Sequence, residues 1–250
     1  VAVYAMRMAA DLGYPRKRQI ELGLTGLLHD VGMALMPDSI IYKRSAINAK
    51  EKAVLRDRPN YSYKILKSLG PDFAFTAECA GQVYERIDGS GYPRGLKADE
   101  IHEYAQIIGL VDVYESLTHS RPHRPKLTSF AAVKELFSSS KDRFERQYLK
   151  SLLNVFTVFP IHSYVRLNSG AVGKVVETHL DQPLRPKLKI VLDSHNRKVL
   201  TKRIVDLPQT PLLNIVDSVA NDRIKAIYNG DALECLAGEV ICLKIDDLVV

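Results

Sequence analysis

Glu85-Arg86-Ile87-Asp88-Gly89-Ser90-Gly91-Tyr92-Pro93-Arg94-Gly95-Leu96 gathers three glycines and a proline into twelve residues. Glycine opens backbone conformations that a side chain disfavours and proline fixes φ, so the stretch reads as a built turn. Around it the pattern is helical. Apolar residues recur at three and four positions, as Val3, Met6, Ala10 and then Ile20, Leu24, Leu27, Leu28. The same spacing predicts helices over 50–55, 61–69, 73–85, 100–117, 129–137 and 141–156, interrupted again at Ser120-Arg121-Pro122-His123-Arg124-Pro125. Residues 1–157 therefore read as one all-helical domain.

After Phe159-Pro160 the period changes to short β-branched runs, over 164–167, 173–177, 188–192 and 199–200. Asn168-Ser169-Gly170 and 193–196 are hairpin turns in this reading, and Pro208 and Pro211 close a small β module over 158–210. Residues 211–250 form a C-terminal extension, with a helix-like 212–228 and a strand-like 239–245. The fold class expected is thus mainly α, a helical bundle followed by a small β-rich module.

With 250 residues, 46% hydrophobic and 26% charged, the chain can bury a sizeable core, and no run approaches the roughly 18 apolar residues of a membrane span. The net charge of +6 favours an acidic partner, but the basic residues lack aromatic interleaving, so no nucleic acid is expected. A phosphodiester ligand fits the charge equally well. Three cysteines, Cys79, Cys235 and Cys242, have no metal-type spacing and point to a reducing compartment, hence the cytoplasm. The start at Val1, without an initiator Met or a signal peptide pattern, reads as the interior of a longer chain. No Walker loop, nucleophile elbow or CxxC knuckle supports a rival enzyme class.

His29-Asp30 follows an apolar helical stretch, and an adjacent imidazole and carboxylate can serve two metal ions if the carboxylate bridges them. The dipeptide alone is common. Together with 85–96, and with Leu27-Leu28-His29-Asp30-Val31-Gly32, Asp112-Val113-Tyr114-Glu115-Ser116-Leu117-Thr118 and Arg121-Pro122-His123-Arg124 in matching order, residues 1–150 resemble the HD-GYP family of cyclic di-GMP phosphodiesterases. The 160–207 module resembles an extension found after some of these domains.

The resemblance implies an HD-type bundle in which two or three iron or manganese ions activate water against a cyclic dinucleotide phosphodiester. It implies His29, Asp30 and Asp112 as metal ligands, and Arg121 and Arg124 as phosphate contacts through their guanidinium forks. Gly91, Tyr92 and Pro93 fall on the loop near the ligand, which the family also uses against diguanylate cyclase (GGDEF) domains. Four positions depart from the family's pattern. Met33 stands where it has a lysine, Arg58 where it has a histidine before proline, and Val83-Tyr84 where it has a His-His pair. A fixed cation about 4 Å from a metal costs roughly 4 kcal/mol per unit of metal charge at an effective dielectric near 20. Arg58 therefore opposes a metal, and by charge it would pair with Asp30 or Asp112 instead.

His119 and His123 sit beside the Arg121 loop as surface histidines, and His102, His162, His179 and His195 read as solvent-facing. The reading that follows is a degenerate domain of bacterial cyclic di-GMP signalling that binds a cyclic dinucleotide or a partner protein with little hydrolysis, holding at most one divalent metal or none. The alternatives are an active metal-dependent phosphodiesterase with a reduced site, and a dimerising scaffold that binds no nucleotide.

Overall fold

The computed structural model describes residues 1–43, 45–120, 126–179, 181–220 and Ile224, apart from the side chains of Ser140 and Lys141. The described chain is mainly helical, with a small antiparallel sheet toward its C-terminus. It divides into two compact units, Val1–Leu127 with Ser138–Val155, and Thr128–Phe137 with the residues from Phe156 on.

The first unit contains α1 (Ala2–Asp11), α2 (Arg16–Leu28), α3 (Asp38–Ile41), α4 (Ala49–Arg56), α5 (Arg58–Ser68), α6 (Ala74–Gln82), α7 (Glu103–Thr118) and α9 (Arg146–Val155). A 3-10 turn, Val31–Leu35, links α2 to α3. Helix α8 (Ser129–Ser140) begins in the second unit. Asn48 and Glu51 form a reciprocal capping box that starts α4, and Pro59 stands in the first turn of α5, where its missing N–H costs nothing. Helix α7 is the central element. It buries Tyr104, Ala105, Ile107, Ile108, Leu110 and Val111.

The apolar spacing that identifies α1 and α2 does not mark the faces they bury. Ile20, Leu24 and Leu27 are exposed, whereas Leu22, Gly23, Thr25 and Gly26 are buried. The reason is close helix approach: a side chain at Gly23 would strike Met6, and one at Gly26 would begin 3.2 Å from the Ala2 backbone. In α1 likewise, Ala5, Met8 and Ala9 are buried while Val3 is 69% exposed.

The second unit is a five-stranded sheet, β1 (Tyr164–Leu167), β2 (Val172–Glu177), β3 (Lys187–Leu192), β4 (Ile204–Asp206) and β5 (Ile215–Val219), in the order β4-β3-β2-β1-β5. The 168–170 turn forms as expected, with Gly170 at φ +85°. Two expectations need correction. Val199 and Leu200 are not a strand; the Val199 amide reaches the Val191 carbonyl, Leu200 is 87% exposed, and the ladder resumes only at Ile204. The stretch expected as helix-like from Leu212 contains β5, because Ile215, Val216 and Val219 are β-branched and find a partner edge on β1. The strand-like 239–245, with Cys235 and Cys242, lies outside the described residues. Among those described, no helix is long and apolar enough to cross a membrane.

Candidate functional site

His29 caps the C-terminus of α2, Asp30 follows it, and Asp112 projects from α7. Gly32 brings the next turn onto α5: its amide donates to Ser62 Oγ at 2.9 Å, and a side chain there would begin 2.6 Å from the Ser62 nitrogen. Gly109, one turn before Asp112, likewise leaves room for the Val83 carbonyl at the end of α6. These two glycines bring α5 and α6 against the His-Asp turn and α7.

The His29 ring is buried, with Nδ1 donating to the Gly26 carbonyl at 2.9 Å. That fixes the neutral tautomer and leaves Nε2 without a hydrogen-bond partner, 3.8 Å from Asp112 Oδ1. Burial opposes the charged ring, but Asp112, then Asp30 and the Gly26 carbonyl, outweigh it and raise the His29 pKa. Asp30 Oδ1 receives the Tyr84 hydroxyl at 3.3 Å and faces Arg58 Nε at 3.5 Å. Burial raises the Asp30 pKa, with Arg58 and His29 offsetting only part of the effect.

Of the two partners its charge suggested, Asp30 and Asp112, Arg58 is paired with Asp30. The guanidinium also lies 4.0 Å over the Tyr84 ring, with Nη1 3.7 Å from Met33 Sδ. Three of the four positions read from the sequence as departures, Met33, Arg58 and Tyr84, meet in these contacts. Arg58 and Tyr84 contact Asp30, Met33 contacts Arg58, and Val83 is fully buried. Burial disfavours the Arg58 charge, but Tyr84 and Asp30 more than restore it.

From Asp30 the contacts run outward to the signature loop. Tyr84 stacks on Tyr92 with ring centres 5.3 Å apart and planes 4° from parallel, and Arg56 lies 5.1 Å over Tyr92. The loop is organised by Glu85, which is 2% exposed. Its two carboxylate oxygens accept the Arg94 amide at 2.7 Å and the Leu96 amide at 3.0 Å. The Tyr92 amide donates to the Tyr84 carbonyl at 3.1 Å, the Tyr92-Pro93 bond is cis, and a side chain at Gly91 would overlap the Glu85 and Arg86 backbone. Sequence reasoning assigned no role to Glu85 or Arg56. The signal for Glu85 would have been its place at the head of a glycine-rich turn full of amides; stacking of Arg56 on a distant ring leaves no local signal.

His29 and Asp112 keep the donor chemistry for one cation, since Nε2 is a bare, buried imidazole nitrogen beside a carboxylate. Asp30 is already engaged by Arg58 and Tyr84. Among the described residues no three His, Cys, Asp or Glu side chains are arranged to hold a metal ion. The described residues around His29, Asp30 and Asp112 offer too few such donors for a binuclear or trinuclear centre. Arg121, His123 and Arg124 lie outside the described residues. His119 and His195 are exposed, as is His162. Two histidines expected to face solvent do not. His102 caps α7, accepting from the Tyr104 amide at 3.1 Å between Phe75 and Tyr104, and His179 bonds Asp206 at 2.8 Å. Cys79 is a buried free thiol whose pKa burial pushes up to about 12.

The HD domain family model matches residues 1–148, and a KOW domain associated with the HD domain matches residues 164–227. A cyclic di-GMP phosphodiesterase of Pseudomonas aeruginosa is 30% identical over 209 residues, 83% of this chain and 50% of that protein. The cyclic di-GMP phosphodiesterase PdeB of Borreliella burgdorferi is 25% identical over 244 residues, covering 98% of this chain and 62% of its own. The chain thus spans half to three fifths of the length of these relatives. Among solved structures, the HDG"Y"P protein Bd1817 of Bdellovibrio bacteriovorus aligns with a TM-score of 0.51 and 19% identity, over 60% of this chain and 48% of that one. That likeness speaks for the fold alone. The match over residues 1–148, with the helical fold and the His29-Asp30 turn facing Asp112, means that the chain belongs to the HD domain family.

Proposed function

We propose that the helical unit binds a cyclic dinucleotide, and that Arg58 supplies there the positive charge that a metal would otherwise bring. The observation that carries this is the guanidinium held 3.5 Å from Asp30 and 4.0 Å over Tyr84. It neutralises the carboxylate that a multinuclear centre would need, while its buried Nε has no hydrogen-bond partner to satisfy it. A buried donor left open costs stability and is met when an acceptor such as a phosphate oxygen arrives. Relatives named cyclic di-GMP phosphodiesterases support the ligand class. The loop of Gly91, Tyr92 and Pro93 is in this reading the surface presented to the ligand or to a diguanylate cyclase domain.

The names of those relatives weigh more heavily for a second reading, a metal-dependent phosphodiesterase with a reduced site. The bare His29 Nε2 beside Asp112 is its structural support. One experiment separates the two: calorimetric titration of purified protein with cyclic di-GMP, beside metal analysis and a hydrolysis assay with manganese or iron. The first reading expects binding that Arg58→Ala weakens about tenfold or more, with no linear product. Bound metal and steady metal-dependent release of linear dinucleotide would establish the second.

A further inference from the structure

Between α5 and α6, beside the signature loop, lies a pocket of about 250 Å³ lined by Asn60, Tyr63, Glu78, Gly81 and Arg94. None of these residues belongs to the His29, Asp30 and Asp112 cluster. Asn60 and Tyr63 share one face of α5, and Glu78 and Gly81 share one face of α6, each pair three residues apart. Gly81 lets the two helices meet, with Tyr63 Cβ 3.5 Å from where a side chain would begin. The volume lies below the roughly 300–1,000 Å³ of drug-sized ligand pockets, and so suits one ring system better than a whole dinucleotide.

The lining is chemically specific. Glu78 brings a carboxylate and Arg94 a guanidinium, and no hydrogen bond or ion pair joins the two; Lys67, whose pKa Glu78 helps to raise, is a further charge near the carboxylate. Opposite charges that face one cavity without closing on each other leave an acceptor and a donor fork available to one ligand. The Asn60 amide nitrogen is held by Asp57 at 2.7 Å, which leaves its oxygen as a further acceptor. The Tyr63 hydroxyl takes the Lys67 ammonium.

We infer that this pocket receives a guanine base. Guanine carries adjacent N1–H and N2–H donors that a carboxylate accepts, and O6 and N7 acceptors that a guanidinium grips in bidentate fashion. Adenine presents an amino donor at the position of O6, which would face Arg94 with the wrong polarity. The pocket is thus a specificity site that selects guanine-containing cyclic dinucleotides, an inference that rests on the cyclic dinucleotide reading above and adds base selection to it.

Titration of cyclic di-GMP and cyclic di-AMP into wild type, Glu78→Gln and Arg94→Ala tests it. Both side chains are exposed, so the variants leave the core alone. The expected result is a preference of wild type for cyclic di-GMP of roughly tenfold or more, and a loss of about that preference in each variant. Variants that bind cyclic di-GMP as wild type does would overturn the pocket assignment while leaving the binding reading intact. If wild type binds neither dinucleotide, the binding reading fails, and guanosine monophosphate then decides the pocket by itself. Amide shifts at Asn60, Gly81 and Arg94 with that probe, absent with adenosine monophosphate, support the assignment, and their absence overturns it.

Discussion

The signature loop and the His-Asp cluster stand side by side, joined through Tyr84 and Tyr92, and they are built in opposite ways. In the loop the demanding polar groups are met: Glu85 satisfies the Arg94 and Leu96 amides, and Asp88 Oδ1 accepts both the amide and the hydroxyl of Ser90, at 2.9 and 2.6 Å. In the cluster His29 Nε2 and Arg58 Nε are buried without hydrogen bonds. Complete satisfaction makes a rigid structural unit, whereas open donors and acceptors mark a place that another molecule can complete. The difference teaches that the loop is scaffold as much as recognition element, and that the chemistry is concentrated where the structure is least satisfied.

The contrast breaks most visibly at Glu85. Glu85→Ala removes the acceptor for two partly buried amides, each a charge-assisted bond, and should lower stability by about 3 kcal/mol in urea unfolding. A loss under about 1 kcal/mol would mean that the loop is held by its glycines and Pro93 instead. Next in size is Gly32→Ala, which forces a methyl against the Ser62 amide and the Arg58 carbonyl. Overpacking of this kind costs about 2 kcal/mol. Because it shifts the start of α5, it should also move Arg58 and weaken cyclic di-GMP binding, which calorimetry reads separately from the melting temperature.

A smaller effect tests the cluster's charge. In the wild type, manganese should leave the melting temperature unchanged, since Arg58 already faces Asp30. Replacing Arg58 and Tyr84 together by histidine removes the cation and adds two imidazoles next to His29 and Asp30. A metal bound to the folded form alone then raises the melting temperature, by about 3 °C for each 1 kcal/mol gained. If the unmodified protein shows that rise itself, the cluster holds a metal despite Arg58, and the phosphodiesterase reading gains.

Much of this was legible in the sequence, for reasons that differ between the regions. The loop's demands are local, so Gly89, Gly91, Pro93 and Gly95 announce a turn without knowledge of the rest of the fold. The meeting of His29, Asp30 and Asp112 followed from a family resemblance, and the swap of histidine for a fixed cation pointed Arg58 at Asp30 or Asp112, of which the structure pairs it with Asp30. Other features depend on packing between distant segments. Ile20, Leu24 and Leu27 gave the right helix and the wrong buried face, because Gly23 and Gly26 let α1 approach on the small-residue side. Strand β5 depends on an edge offered by β1, fifty residues earlier, which no local window contains. The Arg58, Tyr84, Tyr92 and Arg56 stack joins three separate segments, and only its members are visible in the chain.

The smallest effect sharpens the comparison through pH, with one carboxylate taken from each region. The hydrogen bond from the Ser90 hydroxyl, with smaller help from the Ser90 amide and Arg143, holds Asp88 below the ordinary carboxylate value against the opposing effect of burial. Its contribution to stability is therefore full above the unfolded pKa, about 3.9, and is lost as pH falls through the lower folded value. Asp30 has the opposite sign: burial raises it, so the folded state favours the protonated form, and that contribution is full below about 3.9 and lost as pH rises through the higher folded value. Unfolding free energies of Asp88→Asn and Asp30→Asn, measured from pH 3 to 7 against wild type, should accordingly diverge. The cost of Asp88→Asn grows with pH, while that of Asp30→Asn shrinks. Parallel curves would mean that Asp30 is as well solvated and partnered as Asp88, and that the cluster is no less satisfied than the loop.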